Sequence, residues 1–253
     1  MKRGKTRPGL AACIVIPARY ASTRFPAKVL AKLGGRPVVQ WCWEAAVAAR
    51  VGPVIVAADD ERVRRTVEAF GGTAVMTPPS CASGSDRVHW ASRRRSEGLI
   101  INLQGDMPFI KPSTIRRVAR LLRSRPRAQM ATAVTPLRDE IRGQDPNVVK
   151  AALARDGRAL YFSRAAIPHR RDNGPAARFE HLGIYGFRRQ ALERFVRLKP
   201  SPLERCEQLE QLRALEDGMA IHAAVVDEAP VAIDTPADLT RAERLLKKMR
   251  GRP

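Results

Sequence analysis

"CIVIPARYASTRFPAKVLAKLGG", residues 13–35, decides the fold. An apolar run ends at Pro17, and Arg19, Arg24 and Lys28 follow within a few positions with no acid among them. A short, uninterrupted apolar run reads as a strand buried on both faces, the mark of a parallel sheet covered by helices. Ligands of open α/β sheets lie at the carboxyl ends of their strands. Cations gathered at that end await an anion.

The same rhythm repeats outward. "PVVQWCWEAAVAAR" (37–50) has helical length and closes at Gly52, and "PVIVAA" (53–58) is a second strand. "DERVRRTVEAF" (60–70) sets Val63, Val67 and Phe70 at helical spacing and stops at Gly71-Gly72. "TAVMT" (73–77) is a third strand, and "SGSDRVHWASRRR" (83–95) opens with the capping box Ser83/Asp86. "LIINLQ" (99–104) is a fourth strand, and "PSTIRRVARLL" (112–122) puts Ile115, Val118, Ala119 and Leu122 on one helical face. Alternation of this kind predicts an α/β fold with a mostly parallel, Rossmann-like sheet and helices on both faces.

After residue 127 the rhythm changes. "QMATAVTPL", "NVVKAALA", "ALYFSR" and "HLGIYGF" read as strands with little helix between them, and Asp156-Gly157 is a hairpin signal. Residues 128–187 are expected to form an antiparallel insertion that caps a substrate site, makes a dimer arm, or both. "SPLERCEQLEQLRALEDG" (201–218) reads as one helix capped by Ser201, Pro202 and Glu204, with Leu203, Cys206, Leu209 and Leu212 on its apolar face. "IHAAVV" is a strand, and "TPADLTRAERLLKKM" repeats the capped start with Thr235, Pro236 and Asp238. The expected organisation is a flexible basic tail over 1–11 and a single domain over 12–249.

Lys and Arg number 46 against 25 acids, a formal charge of +21, which suits a polyanionic or phosphorylated partner but is equally met by a solvated basic surface. A specific nucleic-acid binder is disfavoured, because aromatic residues make up only 5% of the chain and no recognition motif is present. Cys13, Cys42, Cys81 and Cys206 form no C-x-x-C pair and read as reduced cysteines, and His89, His169, His181 and His222 are too scattered for a zinc site. The basic start followed by "GLAACIVI" is too short, and too soon broken by Pro17 and Arg19, for a signal peptide. No run approaches the roughly 18 apolar residues of a membrane span.

Beyond the first strand, the third is followed by Ser83, Gly84 and Arg87, the fourth by Gln104 and Asp106, and the last core strand by Asp234. Cations, hydroxyls and backbone N–H groups suit a polyphosphate. Two carboxylates in a basic cleft suit a divalent cation, since Mg²⁺ takes one or two carboxylates plus phosphate oxygens. Each residue also has a plain structural reading: a basic loop for Arg19–Lys28, a cap for Ser83, turn residues for Asp106 and Asp234.

"IPARYASTRFPAK", "SGSDR", "INLQGDMP", "LYFSRAAIP", "HLGIYGF", "SPLERCEQLEQLR" and "IDTPADL" resemble, in order, the motif series of the CMP-KDO synthetase (3-deoxy-manno-octulosonate cytidylyltransferase) family. The resemblance runs from about residue 12 to about 245. It implies a nucleotidyltransferase fold, a homodimer, CTP and KDO as substrates, Mg²⁺ as cofactor, and activation of KDO for lipopolysaccharide assembly in the cytoplasm. It further implies that Arg19 and Lys28 bind the CTP phosphates, that Pro17 and Ala18 present backbone groups to the cytosine, and that Ser83, Arg87 and Gln104 lie near the nucleotide. Asp106 and Asp234 would hold Mg²⁺. Arg164, His181, Tyr185, Glu210 and Gln211 would line the sugar site, with Arg24 bridging sugar and phosphate.

Three departures bear on the site: Ala27 stands where the family usually has Gly, which narrows the allowed backbone, Met107 stands where the family carries a carboxylate, and Cys81 and Ala82 stand ahead of the matching "SG". The implied reaction is attack of a sugar hydroxyl on the α-phosphorus of CTP with loss of pyrophosphate, driven by positioning and charge neutralisation. Another acidic sugar, sialic-acid-like or an amino variant of KDO, is the alternative acceptor.

Overall fold

The computed structural model describes residues 10–22, 24–171, 178–227 and 231–250. Of the expected tail, only Leu10 and Ala11 are among them, and Ala11 O already accepts from Leu99 N at 3.0 Å. The chain divides into two compact units, Met1–Ile115 with Pro230–Pro253, and Arg116–Ala229.

In the first unit, strands β1 (Ala12–Ala18), β4 (Val54–Ala58), β5 (Ala74–Met76) and β6 (Leu99–Leu103) pair in parallel in the order β6-β1-β4-β5. Every residue of β1 and β6 is buried, as a strand covered on both faces requires. Burial of Ile14, Val15 and Ile16 stabilises the fold by about 1.5–3 kcal/mol each. Helices α1 (Val38–Ala49), α2 (Glu61–Ala69), α3 (Gly84–Ser92) and α9 (Pro236–Arg250) belong to this unit, and α4 (Pro112–Ser124) begins in it. The capping boxes of α3 and α9 form as read: Asp86 N donates to Ser83 Oγ, and Asp238 N to Thr235 Oγ1, both at 3.2 Å. Helix α1 ends at Ala49, three residues before Gly52, and its C-cap Arg50 is left-handed at φ 52°. Gly52 has a different task, since a Cβ there would sit 1.7 Å from Ala12 O.

A hairpin of β2 (Lys32–Leu33) and β3 (Arg36–Pro37) was not visible in the sequence pattern. Strands of two residues have no alternation to read. The hairpin is set by Gly34 and Gly35, both at positive φ, as a two-residue turn demands. It carries Leu33 into a core cluster with Val38, Ile233, Ala242 and Leu246.

In the second unit, β10 (Phe179–Arg188) pairs antiparallel with β7 (Met130–Pro136) and β8 (Lys150–Leu153), and β8 forms a hairpin with β9 (Ala159–Ser163). The hairpin turns at Asp156-Gly157, with Gly157 at φ 83°. Strand β11 (Ile221–Val225) lies parallel to β7. The 128–187 segment lies within this unit, which also contains helices α5 (Glu140–Gln144), α6 (Arg189–Phe195), α7 (Pro202–Glu207) and α8 (Gln211–Glu216).

The single helix expected over 201–218 is two. Helix α7 stops at Gln208, which is left-handed at φ 52°, and α8 starts at Gln211. The break is held from outside: Ser163 Oγ and Arg164 N donate to the Glu207 carboxylate at 2.5 and 2.8 Å, and Arg164 Nε donates to Glu207 O at 2.7 Å. The apolar face fails accordingly: Leu203 and Cys206 are exposed, while Leu209 and Leu212 are buried.

Candidate active site

Strand β1 delivers its last residues to a cavity of about 730 Å³ lined by residues of the loop that follows it, among them Arg19, Arg24 and Lys28, and by Pro17, Gly84, Gln104 and Asp106. The register of β1 with β6 brings Gln104, Gly105 and Asp106, which follow β6, to this place. Gly105 fits tightly beneath, since a Cβ there would meet Pro17 O at 2.9 Å.

The loop is built to aim Lys28. Ala27 N donates to Tyr20 O at 2.9 Å and closes the loop. Ala27 itself is left-handed, at φ 56° and ψ 24°, and caps a 3-10 turn over Lys28–Leu30. Lys28 Nζ then donates to Asp106 Oδ2 at 2.5 Å and to Asp234 Oδ1 at 2.8 Å. Arg24 adds a second, more exposed cation, 3.1 Å from the same Asp234 oxygen. The two aspartates, remote in sequence, are joined through the backbone, because Ile233 N donates to Asp106 O at 2.9 Å. Burial pulls the Lys28 pKa down, but the charges and hydrogen bonds of Asp106 and Asp234 outweigh it and hold it above its ordinary 10.5.

Not every expected nucleotide residue lines the cavity. Ala18 is buried at the strand end. Ser83 has its hydroxyl in the α3 capping box. Arg87 is 1% exposed, paired with Asp59 at 3.3 Å and hydrogen-bonded to Thr77 Oγ1, so it is a buried structural cation. Gln104 lines the cavity and donates from Nε2 to Asn102 Oδ1 at 3.4 Å. Met107 is a core side chain, 4% exposed, and a carboxylate in its place would be buried.

Asp59 and Tyr20 were missed. Tyr20 N donates to Asp59 Oδ1 at 2.9 Å, and Arg62 stacks over the Tyr20 ring at 3.5 Å. The signal is present in the sequence, since Asp59 directly follows the second strand.

In the second unit, His181, Tyr185, Glu210 and Gln211 form one cluster. The His181 and Tyr185 rings are 5.3 Å apart, and Tyr185 Oη donates to Gln211 Oε1 at 3.0 Å. His181 Nε2 meets Thr132 Oγ1 at 2.8 Å, and burial lowers its pKa to about 3, so the ring is neutral. Burial first, and the Glu210 charge second, push the Tyr185 phenol up and keep it protonated. A phenol, a neutral imidazole, an amide and a carboxylate together suit a polyhydroxylated ligand. Arg164 is differently placed. Its guanidinium donates to the carbonyls of Glu207, Pro146 and Gln208 at 2.7, 2.9 and 3.4 Å, so it holds the α7–α8 break that presents Glu210 and Gln211.

Among the described residues no group of three or more His, Cys, Asp or Glu side chains could hold a metal ion. Asp106 and Asp234 offer two hard carboxylate donors around one point, which fits an ion that takes its remaining ligands from substrate phosphates and water.

Comparison with known proteins places the chain in a family. The cytidylyltransferase family profile matches residues 13–221. The chain is similar to the 3-deoxy-manno-octulosonate cytidylyltransferases of Elusimicrobium minutum (47% identity, covering 92% of this chain and 97% of that one) and Myxococcus xanthus (46%, covering 94% and 97%). Among solved structures it resembles CMP:2-keto-3-deoxy-manno-octonic acid synthetase complexed with CTP, at TM-score 0.90 and 37% identity over 94% of this chain and 99% of that one. A nucleotidyl transferase from Methanothermobacter, at 17% identity and TM-score 0.62 over 94% of this chain and 98% of that one, shares the fold.

Proposed function

The chain belongs to the cytidylyltransferase family, and on that premise we propose that it couples CTP to 3-deoxy-manno-octulosonate, giving the CMP-sugar and pyrophosphate. A sugar hydroxyl oxygen attacks the α-phosphorus, the bond from that phosphorus to the bridging oxygen of the β-phosphate breaks, and the hydroxyl proton is released. The carrying observation is Lys28, bonded to both Asp106 and Asp234, at a cavity lined by Lys28 itself with Arg19, Arg24, Gln104 and Asp106.

Arg19 and Lys28 bind the triphosphate and oppose the charge that grows on the leaving group. Pro17, in the cavity wall at the end of β1, would approach the base. Asp106 and Asp234 would hold Mg²⁺, and the ion, when bound, neutralises phosphate charge. Lys28 and Arg24 balance these carboxylates in the protein alone.

The acceptor site is the His181–Tyr185–Glu210–Gln211 cluster, whose donors and acceptors meet sugar hydroxyls. Arg164 serves it as a positioning residue by fixing the turn that carries Glu210 and Gln211. The same reading includes a homodimer, for which exposed Leu160 on β9 and Leu203 on α7 offer apolar surface, and action in the cytoplasm for lipopolysaccharide assembly. No helix among the described residues is long and apolar enough to cross a membrane.

One assay tests the proposal: pyrophosphate release with CTP, UTP, ATP or GTP against 3-deoxy-manno-octulosonate, its amino variant and a sialic acid, with and without Mg²⁺. Turnover should require CTP, Mg²⁺ and the first sugar. Comparable kcat/KM with ATP, or preference for another acid sugar, would overturn the corresponding part.

A further inference from the structure

Two consecutive acids leave β4, and both hold Tyr20. Asp59 Oδ1 accepts from the Tyr20 backbone N–H at 2.9 Å. Asp60 is paired with Arg62 at 2.7 Å, and Arg62 lies over the Tyr20 ring at 3.5 Å. Asp59 is little exposed, 14% at its side chain, and its other oxygen, Oδ2, faces the fully buried Arg87 at 3.3 Å. Arg87 is in turn fixed by Thr77, whose hydroxyl donates to Ala58 O on β4 itself.

The far side of the Tyr20 residue continues the chain of contacts. Tyr20 O accepts from Ala27 N at 2.9 Å, and the left-handed Ala27 sets the turn from which Lys28 reaches Asp106. Tyr20 is thus gripped at both backbone groups, by Asp59 before it and Ala27 after it. Arg19, Tyr20 and Ala21 all line the cavity.

We propose that Asp59 is a positioning residue of the CTP site: anchored by buried Arg87, its carboxylate fixes the Tyr20 N–H and so the register of the phosphate-binding loop. The bland alternative is an ion pair kept for stability. Buried ion pairs are often no more stabilising than apolar pairs of the same shape, so stability alone is a weak reason for one here. A carboxylate that faces a buried guanidinium with one oxygen and a loop N–H with the other has a fixed direction, which an apolar pair lacks.

The inference rests on the cavity being the CTP site, and its test separates the two. Asp59→Asn/Arg87→Met removes the buried charges but keeps an acceptor for Tyr20 N–H. Asp59→Leu/Arg87→Met has nearly the same shape and no acceptor. CTP affinity is measured by calorimetry, with kcat and both KM values alongside and folding checked by circular dichroism. The Leu double should bind CTP at least about tenfold more weakly than the Asn double and lose kcat/KM for CTP at least in proportion, with the sugar KM equal in both. Should the Leu double not fold, Asp59→Ala/Arg87→Met takes its place. Equal CTP affinity in two folded doubles would overturn the positioning role and leave the function standing. Absence of CTP binding to the parent protein would overturn both.

Discussion

Lys28 Nζ stands 2.5 Å from Asp106 Oδ2, and the same nitrogen reaches Asp234. The three side chains are 17%, 20% and 37% exposed, so water screens them only in part. The charge of Lys28 is held on by its partners, and the stability this adds is present below pH 10.5 and lost as pH rises through the raised value. Two carboxylates are brought to one point, and removing either leaves the cation and the phosphates unbalanced. Asp106→Asn and Asp234→Asn should each lower turnover at least about a hundredfold, roughly 2.7 kcal/mol. Because both serve one centre, the double variant should fall well short of the product. Near-normal turnover of either single variant at low Mg²⁺, in a steady-state assay, would remove both residues from the chemistry.

Ala27 gives a prediction of opposite sign. At φ 56° it occupies the left-handed region, which costs a residue bearing Cβ about 1–2 kcal/mol, whereas Gly pays only its greater freedom when unfolded. Ala27→Gly should therefore stabilise the protein by about 0.5–1 kcal/mol in urea unfolding. A destabilised Ala27→Gly would mean that the loop draws no strain from this residue.

Much of this was legible in the sequence because it is local. The strand ends, all three capping boxes and the αL-prone Asp156-Gly157 turn depend on residues a few positions apart. The break at Gln208 was not legible, since a continuous helical pattern is overridden by Arg164 and Ser163 gripping Glu207 from a distant strand. The partners of Arg87 were equally illegible: a cation near a strand end reads as lying by the nucleotide, and only the fold reveals its pairing with Asp59 and Thr77.

Arg164 should behave as a positioning residue. Arg164→Lys loses the planar fork that reaches the Glu207 and Gln208 carbonyls at the α7–α8 break and the Pro146 carbonyl ahead of β8. The expected cost is about 1–3 kcal/mol of stability, with carbonyls left short of donors. The KM for the sugar should rise as Glu210 and Gln211 lose their support, while that for CTP changes little. A rise confined to the CTP KM would detach Arg164 from the acceptor site.

His181 is one source of acid sensitivity. Its pKa in the folded protein is about 3, lowered by burial from an ordinary 6.5. Between those values the unfolded chain takes up a proton that the native ring refuses, so stability falls as pH drops from about 6.5 toward 3 and is fully present above 6.5. His222 is also lowered, by burial first and then by Arg125, so the parent protein combines at least two such slopes. His181→Gln leaves a polar partner for Thr132 and removes one of them. Urea midpoints measured at pH 7, 5 and 4 should therefore converge in the variant relative to the parent, with the greatest difference at the lowest pH. Parallel curves for the two proteins would show that His181 is protonated as readily in the native state as in the unfolded one, and that its place beside Tyr185 does not exclude the charged form.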